Sequence, residues 1–361
     1  MVLDFAKEAI KNTETHSINF DELRAGKANI KVIGCGGMGC NAVTWLFNKG
    51  IQGATIYAAN TDALHLSVAK ADEKILVGKE LTRGLGAGGM PNRGKEAAKE
   101  SVVDIKKAVS GADMVFIIAG EGGGTGTGMA PVVGQLAKEA GAVVIGVVTM
   151  PFESEKARID KAEFGLQELR DITDTCIVLD NNRLVDIAGQ LPLEQAFAVA
   201  NELVSTMIKG IVETITLPSL INLDYADVSS IMKNGGVAVI GIGESDSKSD
   251  MVNEAVSQAL THPLLDVDYQ GATGALIHVT CGPDLKLEEF DLIGRTVSEN
   301  LSADSNVIIG ARISKDFVGK VRVITIMTGV KSPYVLGRPD DRHQMVESQR
   351  RMSDLGIDMF N

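Results

Sequence analysis

The glycine- and threonine-rich stretch at residues 120–128 constrains the fold more than any other part of the sequence. It follows an apolar run at 114–119 that predicts a buried strand, and it precedes a predicted helix at 129–140 with Pro131 in its first turn. Such a stretch leaves backbone N–H groups free to approach a ligand, and the dipole of the following helix favours an anion. We therefore predict a phosphate-binding loop, with a flexible turn as the alternative.

Two more glycine-rich stretches come directly after predicted strands. Residues 34–41 follow a strand at 29–33, and residues 84–91 follow a strand near 74–77. The repeated alternation of strands and helices predicts a parallel, doubly wound sheet, in which ligands bind at the carboxyl ends of the strands. Three glycine loops at such ends favour a long phosphate chain wrapped by backbone amides, and therefore a nucleoside triphosphate.

The first loop also leaves a different enzyme class open. Gly34, Gly36 and Gly39 fit the glycine spacing of the dinucleotide fingerprint, and Asp62 lies 23 residues after Gly39. A nicotinamide- or flavin-dependent oxidoreductase is therefore an alternative. The sequence contains no P-loop motif, in which a lysine is followed by serine or threonine, so a triphosphate would have to be held without that lysine.

The composition limits the location and the partners of the protein. The chain has 361 residues, 45% of them hydrophobic, which is enough for two soluble domains with their own cores. Its formal net charge of -12 argues against electrostatic binding to nucleic acid or to an anionic membrane surface. Because the longest apolar run is too short to cross a bilayer and the N-terminus lacks a signal-peptide pattern, we expect a cytoplasmic protein without direct membrane insertion.

Cysteines and histidines do not show the spacing of metal ligands. The four cysteines form no C-x-x-C pair, and the five histidines are scattered along the chain. We therefore predict buried free thiols and no metal site built from side chains.

Changes in composition and periodicity divide the chain into five predicted parts. From residue 193 to 216, apolar residues recur every three or four positions, which predicts one long helix buried between two packed units. The expected fold is α/β, with a doubly wound parallel-sheet nucleotide-binding domain, a long central helix and a second, smaller mixed-sheet α/β domain. The parts are an N-terminal extension at 1–28, the nucleotide-binding domain at 29–192, the central helix at 193–217, the second domain at 218–330 and a flexible tail at 331–361.

Five motifs resemble those of the tubulin and FtsZ superfamily and follow the same order along the chain. They are the loop at 34–41, Asn60-Thr61-Asp62, the loop at 85–91, Gly-Gly-Gly-Thr-Gly-Thr-Gly at 122–128 and the segment 222–227. The resemblance covers residues 29–330, and the chain looks most like archaeal FtsZ sequences. It implies the tubulin/FtsZ fold and a GTPase that polymerises head to tail into protofilaments at the site of cell division.

The resemblance also implies which residues bind GTP. The phosphates would lie against Gly36, Gly37, Met38, Gly39, Cys40, Asn41, Gly88, Gly124, Thr125, Gly126 and Thr127. The ribose would contact Glu155 and Arg158, and the guanine would contact Asn181 and Asn201. Many relatives carry aspartate where this chain has Asn201, and an asparagine carbonyl accepts fewer hydrogen bonds. Guanine selectivity therefore follows from the resemblance alone, with Glu202 as a further candidate acceptor.

Asp224, Asp227 and Asn222, which follow the long helix, are implied to be catalytic. Phosphoryl transfer needs positioned charge and an oriented water, which a carboxylate supplies, although two acids in a turn also form an ordinary helix cap. Asp224 lies 23 residues beyond Asn201, mostly along a helix, so the two residues should be about 25 Å or more apart. We therefore expect Asp224 to act on the GTP of a neighbouring subunit, through a heterologous contact whose repetition gives an open filament.

The resulting hypothesis is a self-assembling GTPase of cell division that uses GTP and GDP, with Mg²⁺ bridging the phosphates. Its main partner would be a second copy of the chain, and it would act in the cytoplasm at the mid-cell division site. The apolar residues at 355–360 predict a short peptide that binds a membrane-tethering or division protein. Besides the oxidoreductase, the alternative is a filament-forming paralogue that hydrolyses GTP slowly and acts as a scaffold.

Overall fold

The computed structural model describes most of the chain between residues 28 and 330. The described ranges are 28–217, 219–221, 223–233, 236–247, 250–261, 272–299, 301–302 and 304–330. The predicted N-terminal extension, apart from residue 28, lies outside these ranges, as do the predicted tail at 331–361 and the candidate catalytic residue Asn222.

Ten strands form one continuous sheet in the described part of the chain. In chain order they are β1 (Ile30–Cys35), β2 (Ala54–Asn60), β3 (Glu73–Leu76), β4 (Met114–Gly120), β5 (Val143–Met150), β6 (Thr175–Asp180), β7 (Gly236–Ser245), β8 (Gly274–Cys281), β9 (Asn306–Ile313) and β10 (Val321–Thr328). Their order across the sheet is β3-β2-β1-β4-β5-β6-β7-β10-β8-β9. All residues of β5 are buried, as expected for a strand that helices cover on both faces.

Helices alternate with the strands along the chain. They are α1 (Gly36–Lys49), α2 (Ala63–Val68), α3 (Lys79–Thr82), α4 (Pro91–Glu100), α5 (Val102–Val109), α6 (Thr125–Glu139), α7 (Ile159–Ile172), α8 (Asn181–Ala188), α9 (Leu193–Thr216), α10 (Tyr225–Met232), α11 (Met251–Leu260) and α12 (Leu287–Ser298). Short 3₁₀ helices occur at Glu153–Arg158 and Lys315–Phe317. Within the described ranges, none of these helices has the length and apolar content of a membrane span.

The first six strands are parallel and wind in two directions from β1. This strand pairs with β2 on one side and with β4 on the other, so Cys35 and Ala119 are neighbours at the carboxyl ends of β1 and β4. Such a reversal of strand order is where ligands bind in doubly wound sheets. The predicted α/β fold is confirmed, and it brings the first and the central glycine stretches side by side.

The second part of the sheet is mixed, as predicted, but it continues the first part. β7 is parallel to β6 through three residue pairs, from Thr175–Gly236 to Ile177–Ala238. β10 is antiparallel to β7 and β8, and β9 is parallel to β8 at the sheet edge. The junction pairs strands that are separated by about 60 residues along the chain, and no local pattern in the sequence indicates such a pairing.

The long helix α9 has the predicted bounds and contacts both parts of the sheet. Its later turns are buried, and a Cβ on Gly210 would lie 2.3 Å from Ile324 Cδ1 of β10. On its other side, Lys209 Nζ donates to the carbonyl oxygens of Lys49 and Gly50 at the end of α1 (3.0 and 2.8 Å). Its first turn is open to solvent, with Leu193 73% exposed, so burial between the two parts is confined to the later turns.

Two helices begin earlier than the sequence predicts. α1 begins at Gly36 and α6 at Thr125, so residues expected in loops form the first helical turns, and Pro131 lies in the second turn of α6. Glycine has low helix propensity, which hid these starts. The glycines are tolerated because they allow close packing: a Cβ on Gly39 would lie 2.3 Å from Ile118 O of β4. Farther along the chain, α4 and α5 follow each other directly and are divided at Ser101.

Candidate nucleotide-binding site

The first and the central glycine stretches touch at the carboxyl ends of β1 and β4. Gly36 has a φ of +72°, and a Cβ there would lie 2.8 Å from the backbone N of Gly126. A Cβ on Gly126 would in turn lie 2.7 Å from Gly120 O. Neither α1 nor α6 has a side-chain hydrogen bond capping its N-terminus, so backbone donors of both helices remain available to an anion.

The third glycine stretch, at residues 84–91, packs against the central loop on the side away from α1. A Cβ on Gly124 would lie 2.8 Å from Met90 N and 3.1 Å from Gly89 N. Gly88 and Gly89 have φ values of +63° and +70°, and a Cβ on either would meet no atom within 4 Å. Three loops therefore bound one open space. We call residues 36–41, 87–90 and 122–126, together with that space, the cradle.

Thr61 also belongs to this region, although the sequence analysis assigned it no role in the site. Its hydroxyl lies 2.6 Å from the hydroxyl of Thr125, and the residue is fully buried. The neighbouring Asp62 caps α2 by accepting from His65 N (3.0 Å) and forms a bridge to Leu85. The available signal was position, because Thr61 directly follows the carboxyl end of β2, a strand of the parallel sheet.

Some predicted phosphate ligands can contribute only their main chain. Gly37 and Asn41 are exposed and Met38 is half-buried. The Cys40 side chain is buried, with Sγ 3.7 Å from Ala59 O and 4.0 Å from Gly34 O. The Thr127 side chain is also buried, facing Gly165 of α7. Thr127, which the resemblance implies to lie against the phosphates, therefore directs its side chain toward α7 instead.

The two residues expected at the ribose are brought together. Glu155 and Arg158 form an ion pair in the 3₁₀ helix after β5, with Oε1 and Nη1 2.6 Å apart. The other oxygen of Glu155 accepts from Phe152 N (3.1 Å). A Cβ on Gly122 would lie 2.8 Å from Arg158 Cβ, so this helix packs directly on the central loop and places the pair at the edge of the cradle.

An apolar recess lies beside the two asparagines expected at the base. Its volume is about 250 Å³, and it is lined mainly by α8, the start of α9 and Phe152. Phe152 and Phe197 face each other edge to face, with ring centroids 6.1 Å apart. Asn181 begins α8, and Asn201 lies one turn after Phe197 on α9; both are half-buried. The two phenylalanines were missed because an apolar helical stripe predicts core packing equally well.

Glu202, considered as a further acceptor for the base, is engaged elsewhere. Its carboxylate is paired with Lys49 at the end of α1 and accepts from Thr206 on the next turn of α9 (3.4 Å). That position corrects the expectation, because the side chain serves to join α9 to α1.

Asp224 and Asp227 form a reciprocal cap at the start of α10. Asp224 Oδ1 accepts from Asp227 N (2.8 Å), and Asp227 Oδ2 accepts from Asp224 N (3.3 Å). The ordinary alternative for these two acids, a helix cap, is therefore present. It does not exclude a catalytic role, because the cap fixes one oxygen of the exposed Asp224 and so sets the direction of the other.

We call residues 223–227 the acidic loop. It lies near the amino end of β4, whereas the cradle lies at the carboxyl ends of β1 and β4. Tyr225 Oη donates to Asp113 O (2.7 Å), and Asp113 immediately precedes β4. The cradle begins at the other end of the same strand, whose seven residues span about 20 Å in six steps of about 3.3 Å. Ile221 exchanges two backbone hydrogen bonds with Ala311 of β9, both 3.1 Å, which joins a residue that precedes the loop to the second part of the sheet. Asp224 therefore lies far from the cradle of its own chain.

Glu121 has the most perturbed carboxyl of the site. The residue is 5% exposed, and burial raises the pKa of its carboxyl to about 7. The nearby Thr127 hydroxyl opposes this shift in pKa, and the negative charge of Glu168 adds to it. Thr127 and Glu121 nevertheless lack a hydrogen bond of normal geometry. All four cysteines are buried free thiols, as predicted.

Comparison with protein-family models places both parts of the chain. Residues 29–189 match the Tubulin/FtsZ family, GTPase domain, and residues 236–331 match the FtsZ family, C-terminal domain. The fold and the cradle therefore define a protein of the tubulin and FtsZ class.

Individual relatives narrow the class further. The chain is 48% identical to "Cell division protein FtsZ 2" of Methanocaldococcus jannaschii, over 99% of this chain and 95% of that protein. It is 51% identical to the protein of the same name from Halobacterium salinarum, over 98% and 90%. The chain belongs to the FtsZ family, which removes the basis for the oxidoreductase alternative.

Solved structures give the same result at the level of the fold. An FtsZ dimer from M. jannaschii, described as empty, is 50% identical and superposes with a TM-score of 0.79, covering 90% of this chain and 92% of that one. CetZ2 from Haloferax volcanii superposes with a TM-score of 0.76 over 89% of this chain and 99% of that one; at 20% identity it shows the shared fold alone.

Proposed function

We propose that this protein is a GTPase of cell division that binds GTP in the cradle and hydrolyses it where two copies meet head to tail. The observation that carries the proposal is the position of Asp224 near the amino end of β4, whereas the cradle of its own chain lies at the carboxyl end of that strand. A carboxylate at that distance can act on a nucleotide only if a second copy presents it. Family membership supports the same activity.

The phosphates fit the cradle through the main chain. Gly37, Gly88 and Gly89 border space that no atom of the described chain fills, and the uncapped starts of α1 and α6 point donors and helix dipoles at an anion. These local donors offset the unfavourable net charge of -12 for the whole chain. Gly88 approaches the terminal phosphate, while Gly124, Thr125 and Gly126 surround the inner ones.

The nucleoside end of GTP fits the next part of the site. Glu155 and Arg158 contact the ribose at the edge of the central loop. The base enters the apolar recess beside Phe197, with the amides of Asn181 and Asn201 at its polar edge. Asparagine offers both a carbonyl and an amino group to the guanine edge, so discrimination against adenine is expected to be weaker than with an aspartate at position 201.

Hydrolysis requires an oriented water and stabilised phosphate charge. The cap of α10 fixes Asp224, whose carboxylate orients the attacking water; Asp227 holds Asp224 in place through that cap, and Asn222 contributes an amide. The contact joins two different surfaces, the cradle face and the acidic-loop face. Repetition of such a heterologous contact gives an open filament, so assembly completes the site and hydrolysis follows assembly.

Magnesium fits this scheme as an ion held by the nucleotide. Among the described residues, no group of three or more His, Cys, Asp or Glu side chains could hold a metal ion. Mg²⁺ commonly binds through phosphate oxygens and water, and it would supply charge neutralisation on the phosphates.

The cellular part of the proposal is action at the mid-cell division site in the cytoplasm. The names of the FtsZ relatives support a role in cell division. A membrane-tethering or division protein would bind the apolar peptide at 355–360, which lies outside the described residues. The scaffold alternative differs in a measurable way, since a scaffold would assemble with GTP while releasing little phosphate.

Phosphate release across a dilution series tests the shared site. GTP turnover per subunit should rise above a threshold protein concentration, because the active site exists only between copies. Asp224→Ala should lower turnover at least 100-fold, on the order expected for a positioned catalytic group, while GDP affinity stays within about twofold. Asp250→Ala is the control, because Asp250 is an exposed acidic residue at the start of α11, away from the proposed site. A rate per subunit that is constant on dilution would reject the proposal.

A further inference from the structure

Glu121 follows β4 directly, yet its side chain does not lie in the cradle. Its backbone N–H donates to Thr149 O (2.9 Å), and only 5% of the residue is exposed. Neither carboxyl oxygen has a hydrogen-bond partner. A buried carboxyl without partners is costly when it is ionised, and this one lies directly behind a loop that is proposed to bind phosphate.

The hollow that contains this carboxyl provides space, and the Thr127 hydroxyl beside the carboxyl does not form a hydrogen bond of normal geometry with it. A Cβ on Gly165 of α7 would lie 2.4 Å from Glu121 Oε2 and 2.3 Å from Thr127 Cγ2 of α6, so glycine is what leaves the room. Lys95 of α4 is paired with Glu168 of α7 (2.8 Å), and Arg158, whose Cβ lies against Gly122, is paired with Glu155 (2.6 Å). Within the described ranges, Glu121 therefore has no ion-pair partner.

The two thiols around Glu121 stay neutral near neutral pH. Cys35 of β1 and Cys176 of β6 are fully buried, and burial raises both thiol pKa values, that of Cys176 to about 12. Glu168 adds negative charge, and Lys95 pairs with it. The pKa of the Glu121 carboxyl, about 7, lies in the physiological range.

We propose that Glu121 is a proton-binding site coupled to the cradle, so that phosphate binding in front of the central loop and protonation of the carboxyl behind it favour each other. The physical reason is repulsion between like charges in a region from which water is excluded. Because such coupling is reciprocal, bound nucleotide holds the proton as strongly as the proton holds the nucleotide. The inference rests on the proposed function only in requiring a nucleotide phosphate in the cradle.

The expected size of the coupling follows from the shift that a bound phosphate causes. If the phosphate raises the pKa of Glu121 by about one unit, nucleotide affinity falls about fivefold between pH 6 and pH 8. Over the same range, binding near pH 7.5 takes up about half a proton per site. Both effects should disappear when the carboxyl is replaced by the neutral amide of Glu121→Gln.

Calorimetric titration with GDP measures the proton directly. GDP with Mg²⁺ is the probe, because it is not hydrolysed, and each titration is run at pH 7.5 in two buffers that differ in ionisation enthalpy. Proton exchange by the phosphates of GDP itself is common to all variants and cancels in the difference. The wild-type chain should take up about half a proton more than Glu121→Gln. Glu96→Gln, which removes an exposed carboxylate of α4, should behave as the wild type.

The outcomes separate this inference from the proposed function. Failure of GDP to bind the wild type at any pH would overturn the proposed function. Normal GDP binding with equal proton uptake in the wild type and in Glu121→Gln would overturn the proton site alone. Should Glu121→Gln fail to fold, carboxyl ¹³C NMR of the wild type labelled at glutamate replaces it. One carboxyl must then titrate near pH 7 and shift upward with GDP, and a spectrum without such a carboxyl would reject the inference.

Discussion

At the scale of single residues, Gly36 and Gly37 are neighbours with opposite constraints. Gly36 has a positive φ, and a Cβ would collide with the backbone of Gly126, whereas a Cβ on Gly37 would meet no protein atom within 4 Å. The empty space at Gly37 is the space that we assign to phosphate. Gly36 is therefore required by the fold, whereas Gly37 is required by the proposed ligand.

Alanine at each position gives a matched pair. Gly36→Ala should lower the free energy of unfolding by about 1–3 kcal/mol, through backbone strain and the collision with Gly126. Gly37→Ala should change it by less than about 1 kcal/mol but should weaken GDP binding about tenfold, because its methyl group enters the phosphate space. Chemical denaturation and GDP titration measure the two effects. Unchanged GDP affinity in Gly37→Ala would contradict the placement of the phosphates.

Glu121 also predicts how stability depends on pH. The carboxyl has a pKa of about 7 in the folded chain against an ordinary value of 4.5, so the unfolded chain ionises first as pH rises. The wild type should therefore lose about 3 kcal/mol of stability relative to Glu121→Met between pH 4.5 and pH 7, with no further relative loss above pH 8. Urea unfolding across this range measures the difference. Parallel pH profiles for the two chains would show that Glu121 is solvated or paired in solution.

At the scale of elements, helix α10 carries the acidic loop and is fixed at three points. Its N-terminus is closed by the Asp224–Asp227 cap, Tyr225 Oη is bonded to Asp113 O, and the preceding residue Ile221 is bridged to Ala311. Leu223 lies between these points and is buried against Gly310, where a Cβ would come within 2.5 Å of it. The loop is therefore positioned by both parts of the sheet.

Removing the tyrosine hydroxyl tests this positioning. Tyr225→Phe deletes the hydrogen bond to Asp113 and leaves the ring, so GTP turnover per assembled subunit should fall about threefold to tenfold. GDP affinity and the assembly threshold should stay within about twofold, because neither the cradle nor the contact surface loses a group. Steady-state phosphate release above the threshold is the measurement, and Tyr57→Phe on β2 is the matched control. A wild-type rate in Tyr225→Phe would show that the other two points are sufficient.

Elements were predictable where a long pattern specified them. α9 has the predicted bounds, since its apolar periodicity extends over many residues. The starts of α1 and α6 were misplaced because they consist of glycine and threonine, which favour loops locally. Packing against β4 decides their conformation instead, as the close approach of Gly39 to Ile118 O shows.

At the scale of the whole molecule, the cradle and the acidic loop lie at opposite ends of the central strand β4. The sheet between them separates Asp224 from its own cradle, whereas the proposed head-to-tail contact would place it at the cradle of the next copy. The domain bounds predicted from the sequence stay predictions, because β6–β7 pairing joins the two parts without a break.

Complementation between two inactive chains tests whether one copy supplies the cradle and its neighbour supplies Asp224. Asp224→Ala keeps its cradle, and Gly37→Val keeps its acidic loop but has a blocked cradle. Each alone should release little phosphate, whereas an equal mixture should recover activity at about one quarter of its interfaces if the two chains assemble at random. Phosphate release from the mixture, with each variant alone as control, gives the result. No recovery in co-assembled filaments, verified by pelleting both chains, would contradict a site shared between copies.

By itself, the sequence determined the α/β class, the three glycine stretches at strand ends and the long helix, whereas a catalytic role for the acids after that helix was implied only by the family resemblance. The first three features follow from local patterns, because periodicity and glycine chemistry act over a few residues. Tertiary structure alone decided the contact between Gly36 and Gly126, the inward burial of Glu121 and Thr127, and the place of Asp224 at the strand ends opposite the cradle. Each of these depends on residues that are distant along the chain, and only the pairing of strands and the packing of helices brings them together or holds them apart.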